Sequence, residues 1–360
     1  MHKILTYEQI DRAEWSRLVR TSAAGTWFQT PEAFDFFNEQ KDLFKSFVIA
    51  IEKSESRVES RESRVLRGVC VGYVTQEKSK LKQYLTRRAI IIGGPALADD
   101  CTDEEVEALM DAVRQRLKNL EFRFKILNSP IYIETRNFND YSRWREAFEK
   151  AGFSYKPHLN FQVHTDRPWE EIEEKIGKHR RKYIRLSLRD GVTIVDSQEL
   201  KDKSERERMA HEYYLILKNL YETKIKMPLQ PWSFFEQLCN LPSCHYFLIM
   251  YQGSVVGGSV CMALEGKGVY EWFACGADGE EGNIHPSSVT KYAGIRYAAE
   301  NGYPVFDMMG AGEPDVPYGV RDFKSEFGGE LVEYGRYLCV CKPLLYRIGK
   351  FGVRLLKRFK

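Results

Sequence analysis

Apolar positions recur along the chain in the same order twice, once on each side of residue 155. In the first half, FVIAIE (47–52) and GVCVGYVTQ (68–76) are β-branched apolar runs flanking a polar connection, which predicts a β-hairpin. AIIIGGPAL (89–97) continues as an extended run, DEEVEALMDAVRQRLKNL (103–120) has the helical period, and PIYIET (130–135) reads as a strand. In the second half, YFLIMYQG (246–253) and VVGGSVCMAL (255–264) predict a tighter hairpin turning at Gln252-Gly253. GVYEWFACG (268–276), a helix over SSVTKYAGIRYAAENG (287–302) and the strand PVFDMM (304–309) follow. The halves match in order and not in residue identity.

Between them, YSRWREAFEKAGFSYKPHLNFQVHT predicts a helix ending at Gly152 and a strand from His158 to His164. The expected division is residues 1–155, 156–341 and a terminal segment 342–360. Hairpin, strand, helix, strand is the core order of the GNAT acyltransferase fold. The expected class is therefore α/β (α+β): two tandem GNAT-like (acyl-CoA N-acyltransferase-like) domains plus a C-terminal helix. A single large α/β sheet would require helices between nearly every strand. Residues 53–67, KSESRVESRESRVLR, alternate charge inside the first hairpin and predict a solvated extension, with partner binding as the alternative.

Composition supports a globular protein: 360 residues, 43% hydrophobic. The net charge of +3 is too small to indicate a nucleic-acid partner, but its distribution is informative. From Lys342 onward there are seven Lys or Arg and no acid, leaving 47 basic against 51 acidic side chains before it. The eight cysteines form no C-x-x-C pair and read as reduced core thiols rather than metal ligands. The N-terminus lacks a signal-peptide core and no run approaches the ~20 apolar residues of a membrane span, so a cytoplasmic location is expected.

The segment FDMMGAGEPDVPYGVRDFKSEFGG (306–329) is the main candidate for chemistry. Gly310, Gly312, Gly319, Gly328 and Gly329, with Pro314 and Pro317, make a loop whose backbone can approach a ligand beyond the end of a strand. Arg321 and Lys324 flank Phe323, a cationic pair suited to a phosphate-bearing ligand; the plain alternative is a loop whose lysine faces solvent. FDMMGAGEPD followed by GVRDFKSEFGG resembles the final signature of the Fem family, the peptidoglycan bridge peptidyltransferases that use aminoacyl-tRNA. IGKHRRKYIRLSLRDGVTI (176–194) is similar to that family's basic helix and strand entry, and WFQTPEAFDFF (27–37) to its early Gln-Ser/Thr segment. The resemblance spans nearly the whole chain. It implies that Phe323 and Lys324 stand at the catalytic cleft, with Lys324 stabilising the oxyanion formed when an amine attacks the donor ester. Asp307 takes the family's acidic position, as a base or as a pin for the loop. The long coiled-coil insertion of some members has no counterpart, because residues 200–226 supply one modest helix.

Two basic elements fit such substrates. Lys178, Arg181, Lys182, Arg185 and Arg189 fall along one helical face, a stripe for phosphates of tRNA or of a pyrophosphate-linked sugar; the alternative is a solvated helix balanced by the acidic run before it. Residues 343–360 form a basic amphipathic helix with Leu344, Leu345, Ile348, Phe351, Leu355 and Phe359 on one side. That helix suits the inner face of an anionic membrane; alternatively it docks on the body. His285, before Pro286, is a lone histidine at a helix start. The function expected is aminoacyl transfer from aminoacyl-tRNA to the amine of lipid II or a nucleotide-linked muropeptide, with no metal and no further cofactor. An acyl-CoA N-acyltransferase acting on a surface glycan or small amine is the alternative, but neither KHRRKYIR nor GNIHPSS supplies the glycines of a CoA diphosphate loop. A non-catalytic membrane-associated binding protein is the third reading.

Overall fold

The computed structural model describes residues 2–55, 63–118, 129–279 and 283–358. It divides into two compact units, Met1–His158 with Glu333–Lys360, and Leu159–Val332.

The first unit opens with β1 (His2–Thr6), α1 (Arg12–Thr21) and α2 (Pro31–Glu39). Asp11 caps α1 by accepting from Glu14 N–H, and Thr30 caps α2, with Pro31 at its first position. The hairpin β2 (Phe44–Glu55) and β3 (Ser63–Thr75) is longer than its apolar runs, so the charged connection is partly strand, and its centre, residues 56–62, lies outside the described residues. α3 (Lys80–Thr86), β4 (Ala89–Gly93), β5 (Ala96–Leu97) and α4 (Asp103–Lys118) follow; positions 119 and 120 of the expected helix also lie outside. β6 (Tyr132–Asn137), α5 (Arg145–Lys150) and β7 (Ser154–Lys156) complete this part. α4 and α5 cover one sheet face, burying Leu109, Val113 and Phe148 against Ile51, Cys70, Ile91 and Ile133. Gln29, from the early Gln-Thr segment, is fully buried and bridges strands. Its amide donates to Val71 O (3.1 Å) and Ile92 O (2.9 Å) and accepts from Val71 N–H (2.8 Å).

The second unit begins with β8 (Leu159–His164), α6 (Trp169–Lys175), α7 (Lys178–Arg189) and β9 (Thr193–Asp196). α8 (Lys203–Leu220) is the single helix expected there, extended by a π-helical turn, and α9 (Trp232–Cys239) follows. β10 (Cys244–Tyr251) and β11 (Ser254–Leu264) turn at Gln252 and Gly253, whose φ values of +50° and +82° are those of a tight hairpin turn. β12 (Gly268–Gly276), α10 (Pro286–Glu300), β13 (Val305–Gly312), α11 (Gly319–Ser325) and β14 (Glu330–Glu333) come next. α10 packs so closely on β13 that a Cβ at Gly294 would meet the Phe306 ring at 2.5 Å.

β15 (Arg336–Val340) and α12 (Pro343–Arg358) belong to the first unit. The seam therefore differs from the expected 156–341: residues 333–341 leave the second unit, while the strand expected from His158 to His164 is β8, with the short β7 ahead of it. The first sheet runs β1-β2-β3-β4-β6-β15-β7, and the second β9-β10-β11-β12-β13-β8-β14. Position for position the orders correspond, but the sixth place is filled differently: in the first sheet by β15, which follows the whole second unit in sequence, and in the second by β8, that unit's own first strand. All eight cysteines are free thiols, seven of them buried.

Candidate functional site

β12 and β13 are parallel neighbours for only two register pairs, Val269↔Phe306 and Tyr270↔Asp307. The equivalent strands of the first unit, β4 and β6, stay paired over five, from Ala89↔Ile133 to Gly93↔Asn137. The second sheet thus opens beyond Asp307, while β13 keeps irregular pairing with β8 on its other side. Parted strands leave unpaired backbone groups and room for a ligand, so this fork is where chemistry can be done.

Buried charges gather at the base of the fork. Asp307 is fully buried; its carboxylate accepts from Met309 N–H (2.5 Å) and from the Gln162 amide (2.9 Å). Met309 has φ +59°, a left-handed conformation costly for a non-glycine residue, and Asp307 is what holds it there. Burial pushes the Asp307 carboxyl up to about 6, against the lowering pull of its hydrogen bonds and of Lys324. Lys324 is 6% exposed, and its ammonium donates to the carbonyls of Met308 (2.5 Å), Gly310 (2.9 Å) and Met309 (3.4 Å). Its three donors therefore tie down the stretch of β13 that has left the β12 ladder. Burial, with the nearby Lys291, lowers Lys324 to about 8. Beside them Lys291 of α10 and Glu271 of β12 form a buried ion pair, and one Glu271 oxygen has no partner.

Phe323 is half-buried beneath the Arg180 guanidinium, 4.5 Å from its ring centre. Arg180 forms a fork on Glu326 (2.9 and 3.1 Å) and donates to Ser288 Oγ (3.2 Å), so α7, α10 and α11 are clasped by one side chain. Arg321 does not stand free beside Phe323. It donates to the carbonyls of Glu313 (2.9 Å), Pro314 (3.3 Å) and Val316 (2.5 Å), closing the Gly-rich loop on itself. Gly310 and Gly312 lie in β13, and Gly312, at φ +84°, packs against Tyr318. Of the basic stripe, Lys178, Lys182, Arg185 and Arg189 are exposed on α7, and Arg181 is half-buried. Arg185 reaches Glu173 of the acidic run at 3.9 Å.

The start of α10 is occupied by an acid. Asp278 Oδ1 accepts from Ser287 N–H at 3.0 Å, and Ser288 N–H and Val289 N–H bond the His285 carbonyl. Gln162, Glu271, Lys291 and Asp278 were not singled out by the sequence reading. The signals available were a lone Glu within GVYEWFACG and a lone Lys within the apolar helix pattern after Pro286.

Residues 177–325 match the acetyltransferase (GNAT) domain family, wholly within the second unit and including the fork. Among solved structures, FemX superposes with a TM-score of 0.68 at 14% identity, covering 96% of this chain and 99% of that one. The C-terminal domain of a candidate lysylphosphatidylglycerol synthetase from Agrobacterium fabrum gives 0.52 at 12% identity, covering 91% and 90%. A tandem GNAT protein from the clavulanic acid biosynthesis pathway gives 0.51 at 7%, covering 94% and 98%. No curated protein matches the sequence significantly. The chain thus has a Fem-like tandem GNAT fold, and with its acetyltransferase-type domain it is an acyltransferase in class.

Proposed function

We propose that the chain moves an aminoacyl group from aminoacyl-tRNA to the amine of a peptidoglycan precursor at the fork of the second unit. The observation that carries this reading is the parting of β12 and β13 directly beyond Asp307, with Lys324 buried under the opened edge. The amine attacks the ester carbonyl, a C–N bond forms, the bond to the tRNA ribose oxygen breaks, and the amine proton leaves with that oxygen. Protonated Lys324 sets a fixed positive charge below the developing oxyanion, in a site where little water screens it. Asp307 positions the Met309 turn and balances that charge.

Two features support that donor. A CoA diphosphate cradled at the start of α10 would meet the Asp278 carboxylate already bound there, which opposes CoA. The exposed cations of α7 suit the phosphates of a tRNA. Among the described residues no helix is long and apolar enough to cross a membrane. α12 instead leaves Leu344, Ile348 and Phe351 exposed, which favours a peripheral position on an anionic membrane and a lipid-linked acceptor over a nucleotide-linked one.

The test is to incubate the purified protein with tRNA charged with several amino acids and with lipid II or a nucleotide-linked muropeptide. Release of uncharged tRNA and an acceptor heavier by one residue is expected. Turnover of acetyl-CoA with none of any charged tRNA would overturn the donor assignment.

A further inference from the structure

We infer that α3 is a second membrane-contacting element, forming with α12 one docking surface on the first unit for an anionic lipid bilayer. The inference rests on the membrane-facing reading of α12 given above and adds a segment some 260 residues away in sequence, at 80–86 against 343–358. Lys342, just ahead of α12, lies over the Tyr84 ring of α3 at 5.2 Å, and Tyr346 packs edge-on against Tyr132 of β6 at 5.6 Å. These contacts bind the first turn of α12 to the unit and place its start next to α3. Both then present their large apolar side chains outward. Leu344, Ile348 and Phe351 are 71%, 56% and 65% exposed, and Leu81 and Leu85 are 71% and 49% exposed. The spacings, i, i+4, i+7 on α12 and i, i+4 on α3, make one continuous side on each helix.

A helix docked on the body would bury that side, as α4 does with Leu109 and Val113. Charge selects the occupant. Around α3, Lys78 and Lys82 are exposed, Lys82 pairing with Glu77 at 2.9 Å, and residues 342–360 hold seven Lys or Arg and no acid. A second copy of the chain would bring one basic face against another, whereas an anionic lipid surface attracts both segments and takes up the leucines and Phe351 between its headgroups.

The experiment measures partition of the full chain onto vesicles of phosphatidylcholine with or without phosphatidylglycerol. It compares wild type, Leu81→Glu/Leu85→Glu and Leu344→Glu/Phe351→Glu, with thermal melting to show that each stays folded. Wild type should bind the anionic vesicles selectively, and each double variant should lose about tenfold or more in partition with an unchanged melt. If the α12 variant loses binding and the α3 variant keeps it, the inference fails while the membrane reading of α12 stands. If both variants bind as wild type does, both fail. Wild type that binds neutral and anionic vesicles alike, or that dimerises through this face in solution, overturns the lipid assignment.

Discussion

Lys324 and Asp307 are each held in a state that water would not favour. Asp307 is raised from 3.8 to about 6, so the folded chain keeps a proton that the unfolded chain releases, and the stability it contributes falls as pH rises from about 4 to about 6. Lys324 is lowered from 10.5 to about 8, so the folded chain sheds its proton first, and stability from this group rises with pH above about 8. Between about 6 and about 8 both are charged at some cost to folding, and that is the window the proposed chemistry requires. The rate should therefore trace a bell in pH with limbs near 6 and 8, and Asp307→Asn should remove the acid limb; an unchanged profile in that variant would count against the role of Asp307. Lys324→Met keeps bulk but leaves the Met308, Met309 and Gly310 carbonyls without their donor. Aminoacyl transfer should fall about 10²–10³-fold, and urea unfolding should show a net loss of about 2–4 kcal/mol, since three acceptors lose their donor at about 1–3 kcal/mol each while the cost of burying the ammonium is relieved. Asp307 and Lys324 stand out as candidates in the sequence because a Gly-rich loop and a family signature surround them, and the structure brings both to the base of the fork. Gln162, Glu271 and Lys291 do not, because hydrophobic periodicity treats a strand or helix interior as apolar and carries no sign that two stray charges meet across elements.

At the scale of elements, α7 divides its cations between two tasks. Arg180 turns inward to Glu326, Ser288 and Phe323, while Lys178, Lys182, Arg185 and Arg189 stay in solvent. Replacing those four exposed residues with Gln should weaken tRNA binding in a filter assay and reduce the slope of log affinity against log salt by about one per lost phosphate contact. Melting should not change. The helical period predicted α7 and its exposed stripe, but not the inward turn of Arg180, which depends on where α10 and α11 pack. The hairpins and α10 were likewise readable from alternation and turn residues. The parting of β12 from β13 was not, since two adjacent strands look alike in sequence whether or not their ladder continues.

For the molecule as a whole, repetition of the element order revealed the duplication, but contiguity was the wrong guide to membership. Residues 333–341 read as the end of the second domain, yet β15 pairs with β6 and β7 in the first sheet. A fragment spanning 159–332 contains every strand of its own sheet up to Val332 and should unfold cooperatively on its own. A fragment of 1–158 lacks the strand between β6 and β7 and should aggregate unless 333–342 is supplied in cis or as a peptide, read by gel filtration and circular dichroism. The borrowed strand also sets a schedule for synthesis. About 180 residues separate the end of β7 at Lys156 from the start of β15 at Arg336, and a ribosome adding 5–20 residues per second needs roughly ten to forty seconds to cover them. Through that interval the nascent first sheet has two bare edges facing a vacant slot, so the first half made is the last to close, and holding chaperones have their task set by the order of strands.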